Sequence, residues 1–389
     1  MVLCPRNIRT KDPKRIIKIL EIMKLIFQKQ WIRFVRISKK RKKRNKRSRE
    51  KKTEKNRLRS AGCYCEFDNI NYKNIAAPNE LGCNSSNSLD CLIPWLSNLR
   101  KTTIYNNQPV FIDFRKSKKA EVVGFILLQA EIDRIKSIKG DKFIRGNSPQ
   151  DPVTSQVFHQ VGLSRLLGIR KNVPITSNNV IYWKHTHGTK IDSDNAGKLI
   201  VEIAKAHNLD DNVTGILFTG VGEAITNSVM HAYPDDGKNI RLYGKKKWWM
   251  FTGIKDDVLH VIVCDLGVGI PSSLKNKHPH LFEKFKSFFQ SDNHSRLIEV
   301  AMEEGRSRSY APHRGLGMIE LKKFIDFTHS GRLGIFSQKG VYTYVGDGKE
   351  NIERSRNLKD SIMGTVVAWS VPLDALPSIG SKSDEEKNN

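Results

Sequence analysis

The sequence predicts an α/β protein, and three stretches carry that expectation. In EAITNSVMHAY, Glu223 to Tyr233, the residues Ala224, Ile225, Val229 and Met230 form an apolar flank of the kind a helix lays on a sheet. In VLHVIVCDLGVGIP, a nearly continuous apolar run from Val258 to Cys264 reads as a buried strand ending at Asp265. In QPVFIDFRKSKKAEVVGFILLQAEIDRI, a strand from Val110 to Phe114 leads through a basic turn into a helix with Val122, Val123, Ile126, Leu127 and Ile132 at apolar positions.

The first stretch also carries chemistry. Glu223, Asn227 and His231 are spaced four apart, and each step of four turns only about 40° around a helix, so the three side chains share one space. An amphipathic helix with a polar solvent face shows the same pattern, so the stripe needs partners to mean more. They follow in order. Asp265 at a strand end suits a buried donor such as an exocyclic amine, and Gly267 and Gly269 let a backbone come close to a ligand. In HRGLGMIELKKFID, Gly315 and Gly317 precede an amphipathic helix whose N-terminal N–H groups suit phosphate. In MGTVVAWSVPL, Gly364 and Thr365 enter a further strand and bring a hydroxyl.

These four elements resemble the ATP-binding domain of the GHKL superfamily, the gyrase, chaperone, histidine-kinase and mismatch-repair type ATPases, over roughly Asp194 to Pro372. The resemblance implies an α/β sandwich in which a mixed sheet is covered by helices on one face. It implies Glu223 as the general base that activates water, and Asn227 as the holder of the Mg²⁺ that bridges the phosphates of ATP. It implies Asp265 on the adenine amino group, Gly267 and Gly269 as the turn beneath the base, Gly315 and Gly317 at a lid-to-helix junction, and Thr365 supporting the adenine site. Mg²⁺ takes oxygen ligands and keeps waters, so one Asn oxygen with phosphate oxygens suffices. The 44-residue stretch from Pro271 to Arg314 reads as a lid, with helices expected in KHPHLFEKFKSFFQ and HSRLIEVAMEEG. Arg306, Arg308 and Arg314 at its end are candidates to reach the γ-phosphate, and a solvated Arg is the plain alternative for each. His231 closes the helix by hydrogen bonding in the plain reading.

The branch of the superfamily is less legible. The upstream His159 lacks the adjacent acid of a phosphoacceptor site, and residues 373–389 form a polar tail where chaperones and gyrases carry a transducer domain, so neither pattern is expected. The strand–helix unit around Val110 to Ile132 resembles one βα unit of a STAS-like module, the partner of GHKL serine kinases in bacteria, with a generic α/β domain as the alternative. It departs from that family at Lys119, Ala120 and Glu121, where a phosphorylatable Ser is expected, and Ser117 is the nearby hydroxyl.

Of the formal charge of +27, residues 1–60 hold +20, from 24 Lys and Arg against 4 Asp and Glu. RIIKILEIMKLIFQKQWIRFVRI reads as a basic amphipathic helix, and Lys18, Lys24 and Arg33 interrupt it too often for a membrane span of about 20 apolar residues. The charge run after it suits phosphate backbones or anionic lipid, with a solvated tail as the alternative. Cys63, Cys65, Cys83 and Cys91 match no firm zinc spacing, and His185 and His187 are weak candidate ligands.

The expected organisation is a basic tail (1–60), a linker (61–100), a small α/β module (101–175), the ATP-binding domain (194–372) and a polar tail (373–389). Without a signal peptide the chain is expected in the cytoplasm with reduced thiols. The expected function is Mg-ATP binding with hydrolysis or phosphotransfer to a protein. The alternative is a nucleotide-gated interaction protein with little turnover, its tail docking on nucleic acid or anionic membrane. Expected partners are ATP, a protein, nucleic acid or anionic membrane through residues 1–60, and a second copy of the chain.

Overall fold

The computed structural model describes residues 70–82, 86–169, 173–191, 193–234, 240–277, 287, 292–307 and 317–378. The basic tail, Cys63, Cys65, Cys83, Arg308, Arg314, Gly315, most of KHPHLFEKFKSFFQ and the end of the polar tail lie outside them. From Asn71 onward the chain forms one compact unit.

That unit opens with a parallel sheet. Strands β1 (Lys73–Ala76), β3 (Val110–Asp113) and β5 (Ile144–Gly146) lie in the order β1-β3-β5. A short parallel pair, β2 (Glu80–Leu81) and β4 (Lys119–Ala120), sits beside it. Helix α1 (Ser86–Arg100) runs on into a π-helical turn, Lys101–Tyr105, and α2 (Val122–Lys139) links β4 to β5. The stretch 61–100 is therefore not a linker in its described part: β1, β2 and α1 occupy it. Its Asn and Ser residues suggest a loop, but Leu89, Leu92, Ile93, Leu96 and Leu99 repeat at helical spacing and are all buried.

After α3 (Pro152–Gln160), α4 (Leu163–Leu167) and α5 (Asn178–Ile181) comes the larger sheet. Its strands are β6 (Lys184–Gly188), β7 (Trp248–Lys255), β8 (Val258–Asp265), β9 (Ser330–Ser337), β10 (Gly340–Asp347), β11 (Asn351–Asn357) and β12 (Thr365–Pro372), in the order β11-β10-β9-β12-β8-β7-β6. The sheet begins at Lys184, upstream of the expected boundary. Every neighbouring pair is antiparallel, so the expected mixed sheet is corrected: parallel pairing is confined to the small upstream sheets.

The front of this sheet carries α6 (Ser193–Ala206), α7 (Asp211–His231), α10 (His294–Ser307), the four-residue α11 (Gly317–Glu320) and α12 (Lys323–Thr328). Two short helices, α8 (Ile240–Tyr243) and α9 (Ile270–Lys277), flank the strands β7 and β8. The back is covered too, which corrects the expectation of one covered face. Along β8, Leu259, Val261 and Val263 join the front core while Ile262 and Cys264 join the core of the upstream sheet. From Val261 to Cys264 both faces of β8 are buried, which explains why this part of the strand is a continuous apolar run and not an alternation.

Helix α2 is the shared layer. It is buried on every residue from Val122 to Ile132, because one side packs on the upstream elements and the other on β7 and β8. An aromatic chain crosses the same seam: Phe114–Phe158 at 4.9 Å, Phe158–Phe125 at 5.6 Å, Phe125–Trp183 at 6.2 Å and Trp183–Phe251 at 4.9 Å, all edge to face. Polar clamps reinforce it. Asp133 on α2 accepts from Lys247 Nζ at 2.6 Å and Trp249 Nε1 at 3.0 Å, and Lys255 Nζ donates to Glu121 at 3.0 Å. The upstream module and the larger sheet lie in one compact unit, and residues of both share a hydrophobic cluster.

The expected helix after Gly317 is two pieces. Helix α11 stops at Glu320 and α12 starts at Lys323; at the break Trp369 Nε1 donates to the Leu321 carbonyl at 2.9 Å and Ile325 N bonds the Lys322 carbonyl. Of the two expected lid helices, HSRLIEVAMEEG forms α10. Among the described residues no helix is long and apolar enough to cross a membrane.

Phe125 is fully buried at the middle of the aromatic chain. Phe125→Ala is expected to cost about 3–5 kcal/mol in urea denaturation and to shift a single transition. Two transitions, with one unmoved, would show that module and sheet unfold separately.

Candidate functional site

A cavity of about 280 Å³ opens between α7 and the front of the sheet, at the small end of the range for ligand pockets. Its walls are apolar: Val263, Ile335 and Val367 from the strands, Ile270 and Leu274 from α9, and Met318 and Leu321 from the far side. Its polar groups come from α7 and from two strand ends. Glu223, Asn227, Ser228 and His231 line it from the helix, and Asp265 and Thr365 from β8 and β12.

The strand ends are built around Asp265. Thr365 is its register partner across the β8–β12 pair, so both residues emerge at the same edge of the sheet. Oδ1 of Asp265 accepts from Gly267 N at 2.8 Å and Oδ2 from Ser228 Oγ at 3.3 Å. The Thr365 backbone N–H donates to the same carboxylate. Burial pushes the Asp265 carboxyl up to about 7, against the pull of those three donors. A carboxylate has about four lone-pair sites, so this one retains room for another donor arriving through the cavity.

The glycines serve this arrangement in two different ways. Gly269 and Gly364 have positive φ, +82° and +79°, which favours glycine outright. Gly267 does not: a Cβ there would lie 2.1 Å from the Ala232 carbonyl oxygen, so its role is close approach to the end of α7. Val268 N donates to that same oxygen at 2.8 Å and fastens the turn to the helix.

Along α7, Glu223 and Ser228 stand five residues apart, about 7.5 Å of helix. Asn227 Nδ2 donates to Glu223 Oε1 at 3.0 Å, which fixes the carboxylate and leaves Asn227 Oδ1 as the amide acceptor. Gly317 lies directly over this pair: a Cβ there would come 1.7 Å from Glu223 Oε1. Burial raises the Glu223 carboxyl, the Asn227 bond lowers it, and the charge of Glu320 raises it further, with a net upward direction. His231 lines the cavity at the C-terminal end of the stripe.

Of the residues singled out in the sequence, Glu223, Asn227, Asp265, Gly269, Gly317 and Thr365 all border one cavity, and Gly267 sits just behind its wall. Arg314 and Gly315 lie outside the described residues, and the side chain of Arg306 at the end of α10 is likewise not described. Two members were missed. Ser228 differs from an ordinary buried helix serine only by what it faces. Ser337 on β9 donates to the Gly364 carbonyl at 3.1 Å, accepts from Ile270 N at 2.8 Å and lies 3.1 Å from Thr365 Oγ1, a hub that only strand register creates.

Other candidates lie elsewhere. Ser117 is buried, its hydroxyl donating to the Pro78 carbonyl at 2.7 Å, and His159 belongs to α3. His185 and His187 lie on the edge strand β6, and Cys91 is exposed on α1. Among the described residues no cluster of three or more His, Cys, Asp or Glu has a metal-binding arrangement. No family model matches the chain, and a search of curated proteins finds no match either.

Asp265 gives the site a pH signature. Its folded value near 7 is above its ordinary value of 3.8, so the folded state holds a proton that the unfolded chain releases. Stability is expected to fall as pH rises from about 4 to about 7, by an upper limit on the order of 4 kcal/mol, and to level off above. Asp265→Asn should flatten that profile in denaturation measured across the same range. An unchanged profile would assign the dependence to other groups.

Proposed function

We propose that the cavity binds Mg-ATP and that the protein hydrolyses it or transfers its phosphate to a protein, in the manner of histidine kinase-like ATPases. The observation that carries this reading is the enclosed Asp265 carboxyl at the end of an apolar-walled cavity whose helix wall presents the Glu223–Asn227 pair. The residues divide into a base end and a phosphate end.

At the base end, Asp265 accepts a hydrogen bond from the exocyclic amine, and Thr365, held by Ser337, supports the ring edge. Val263, Ile335 and Val367 supply the flat apolar contact that a purine needs. At the phosphate end, Asn227 Oδ1 would hold Mg²⁺ as a neutral oxygen ligand, with phosphate oxygens and water completing the sphere. When bound, the metal neutralises charge building on the phosphate oxygens. Glu223 accepts a proton from the attacking water, and its raised carboxyl brings it nearer the range in which a base works at neutral pH. Asn227 orients that carboxylate, and the bare Cα of Gly317 leaves it room.

The test is Mg-dependent binding and turnover of ATP in the intact protein. The wild type is expected to turn over, Glu223→Ala to bind with turnover reduced about 100-fold or more, and Asn227→Ala to lose the Mg-dependent part of binding. Tight binding without turnover in the wild type would favour a nucleotide-gated interaction protein, with residues 1–60 as its docking segment. Absence of ATP binding in the wild type would leave the stripe on α7 as scaffold and end the proposal.

A further inference from the structure

The back of the base-binding turn is closed by an ionic cluster that belongs to the upstream module. Arg134 on α2 has a fully buried side chain, and its Nη2 donates to Glu131 Oε1, a carboxylate 1% exposed. Glu131 also takes Arg100 Nη2 at 3.1 Å and Arg100 Nε at 3.2 Å. Burial drives the Glu131 carboxyl up, and the two guanidiniums overcome that and hold it below its ordinary value.

Such a cluster is a poor way to stabilise a core, since apolar residues of similar volume are often as good or better. What distinguishes this one is what it grips. Arg134 Nη1 donates to the Leu242 carbonyl at 2.9 Å and lies 2.9 Å from Met363 Sδ. Met363 immediately precedes Gly364 and Thr365. Leu242 precedes Tyr243, which packs edge to face on Tyr233 at 5.2 Å. The Tyr233 hydroxyl in turn accepts from Leu266 N at 3.0 Å, the residue after Asp265. Met363 packs against the Ala232, Tyr233 and Tyr243 cluster, so both segments that present Asp265 and Thr365 rest on groups tied to Arg134.

We infer that Arg134 is a positioning residue for the nucleotide site: through Met363 and the Tyr243–Tyr233 pair it fixes the Asp265 turn and the Gly364 loop. The upstream module thereby sets affinity for the base. The consequence for affinity rests on the nucleotide reading, while the mechanical link rests on the contacts alone.

The test compares the full-length wild type with Arg134→Met and with the double variant Glu131→Gln, Arg134→Met, which neutralises both partners and guards against misfolding of the single variant. Affinities for adenosine, ATP and inorganic tripolyphosphate are measured, together with amide exchange in ligand-free protein. Adenosine and ATP are expected to weaken by the same factor, about 5- to 150-fold, with tripolyphosphate unchanged and exchange faster at Leu266 and Thr365. Equal weakening of all three ligands, or unchanged adenosine affinity and exchange in a folded variant, would overturn the inference. A wild type that ignores adenosine, with Leu266 exchange still raised in the variants, would retire the nucleotide reading and keep the positioning role.

Discussion

The enclosure of the Asp265 carboxyl is the constraint from which much of the molecule follows. Strand β8 is interior to its sheet and buried on both faces at its end, so a carboxyl there is largely cut off from solvent and must be met mainly by protein donors. Three are supplied, by Gly267, Thr365 and Ser228, and each makes its own demand on the chain. The Gly267 amide reaches the carboxylate only in a turn pressed against Ala232, where no side chain fits. The Thr365 amide requires β12 to pair with β8 in one register, entered through Gly364 in a left-handed conformation. The Ser228 hydroxyl requires that α7 cross the sheet at this point.

The two carboxyls of the cavity are shaped for different work. Asp265 is buried at the cavity wall and raised by that burial, yet braced by three donors, so it is a rigid acceptor at a strand end. Glu223 is half-buried, held through one bond from Asn227, and is raised by burial and by the nearby Glu320. A rigid acceptor suits recognition, and a partly wet carboxyl suits proton exchange. About 7.5 Å of helix separates Glu223 from the serine that touches Asp265, so one rigid element carries both.

The covered back face gives the upstream module a stake in the same site. Helix α2 faces both sheets, and of its polar residues the half-buried Asp133 bonds Lys247 and Trp249 at β7, while the buried Arg134 bonds Leu242 of α8 and Met363 before the Gly364 loop. Buried charge of this kind costs desolvation, and its compensation is geometric: it fixes one arrangement of the elements it joins. The module and the cavity are thus two sides of one layer, with β8 shared between them.

The amino-acid sequence by itself determined the local parts: the α7 stripe, the β8 strand ending in Asp265, the α10 helix, and the glycines of the two turns. These rest on periodicity and on residue types whose backbone preferences act within a few positions. It misdirected where composition and local pattern diverge from packing, as in 61–100, where Asn and Ser conceal a regular Leu and Ile repeat, and after Gly317, where a distant indole takes the Leu321 carbonyl. Only the tertiary structure decided that the larger sheet is antiparallel, that its back is covered, that Ser337 bridges Ile270 and Thr365, and that Arg134 stands behind the Asp265 turn and the Gly364 loop. The Ser337 and Arg134 contacts join residues between 28 and 229 positions apart, and their energies depend on strand register and shared burial, which no local pattern of side chains encodes.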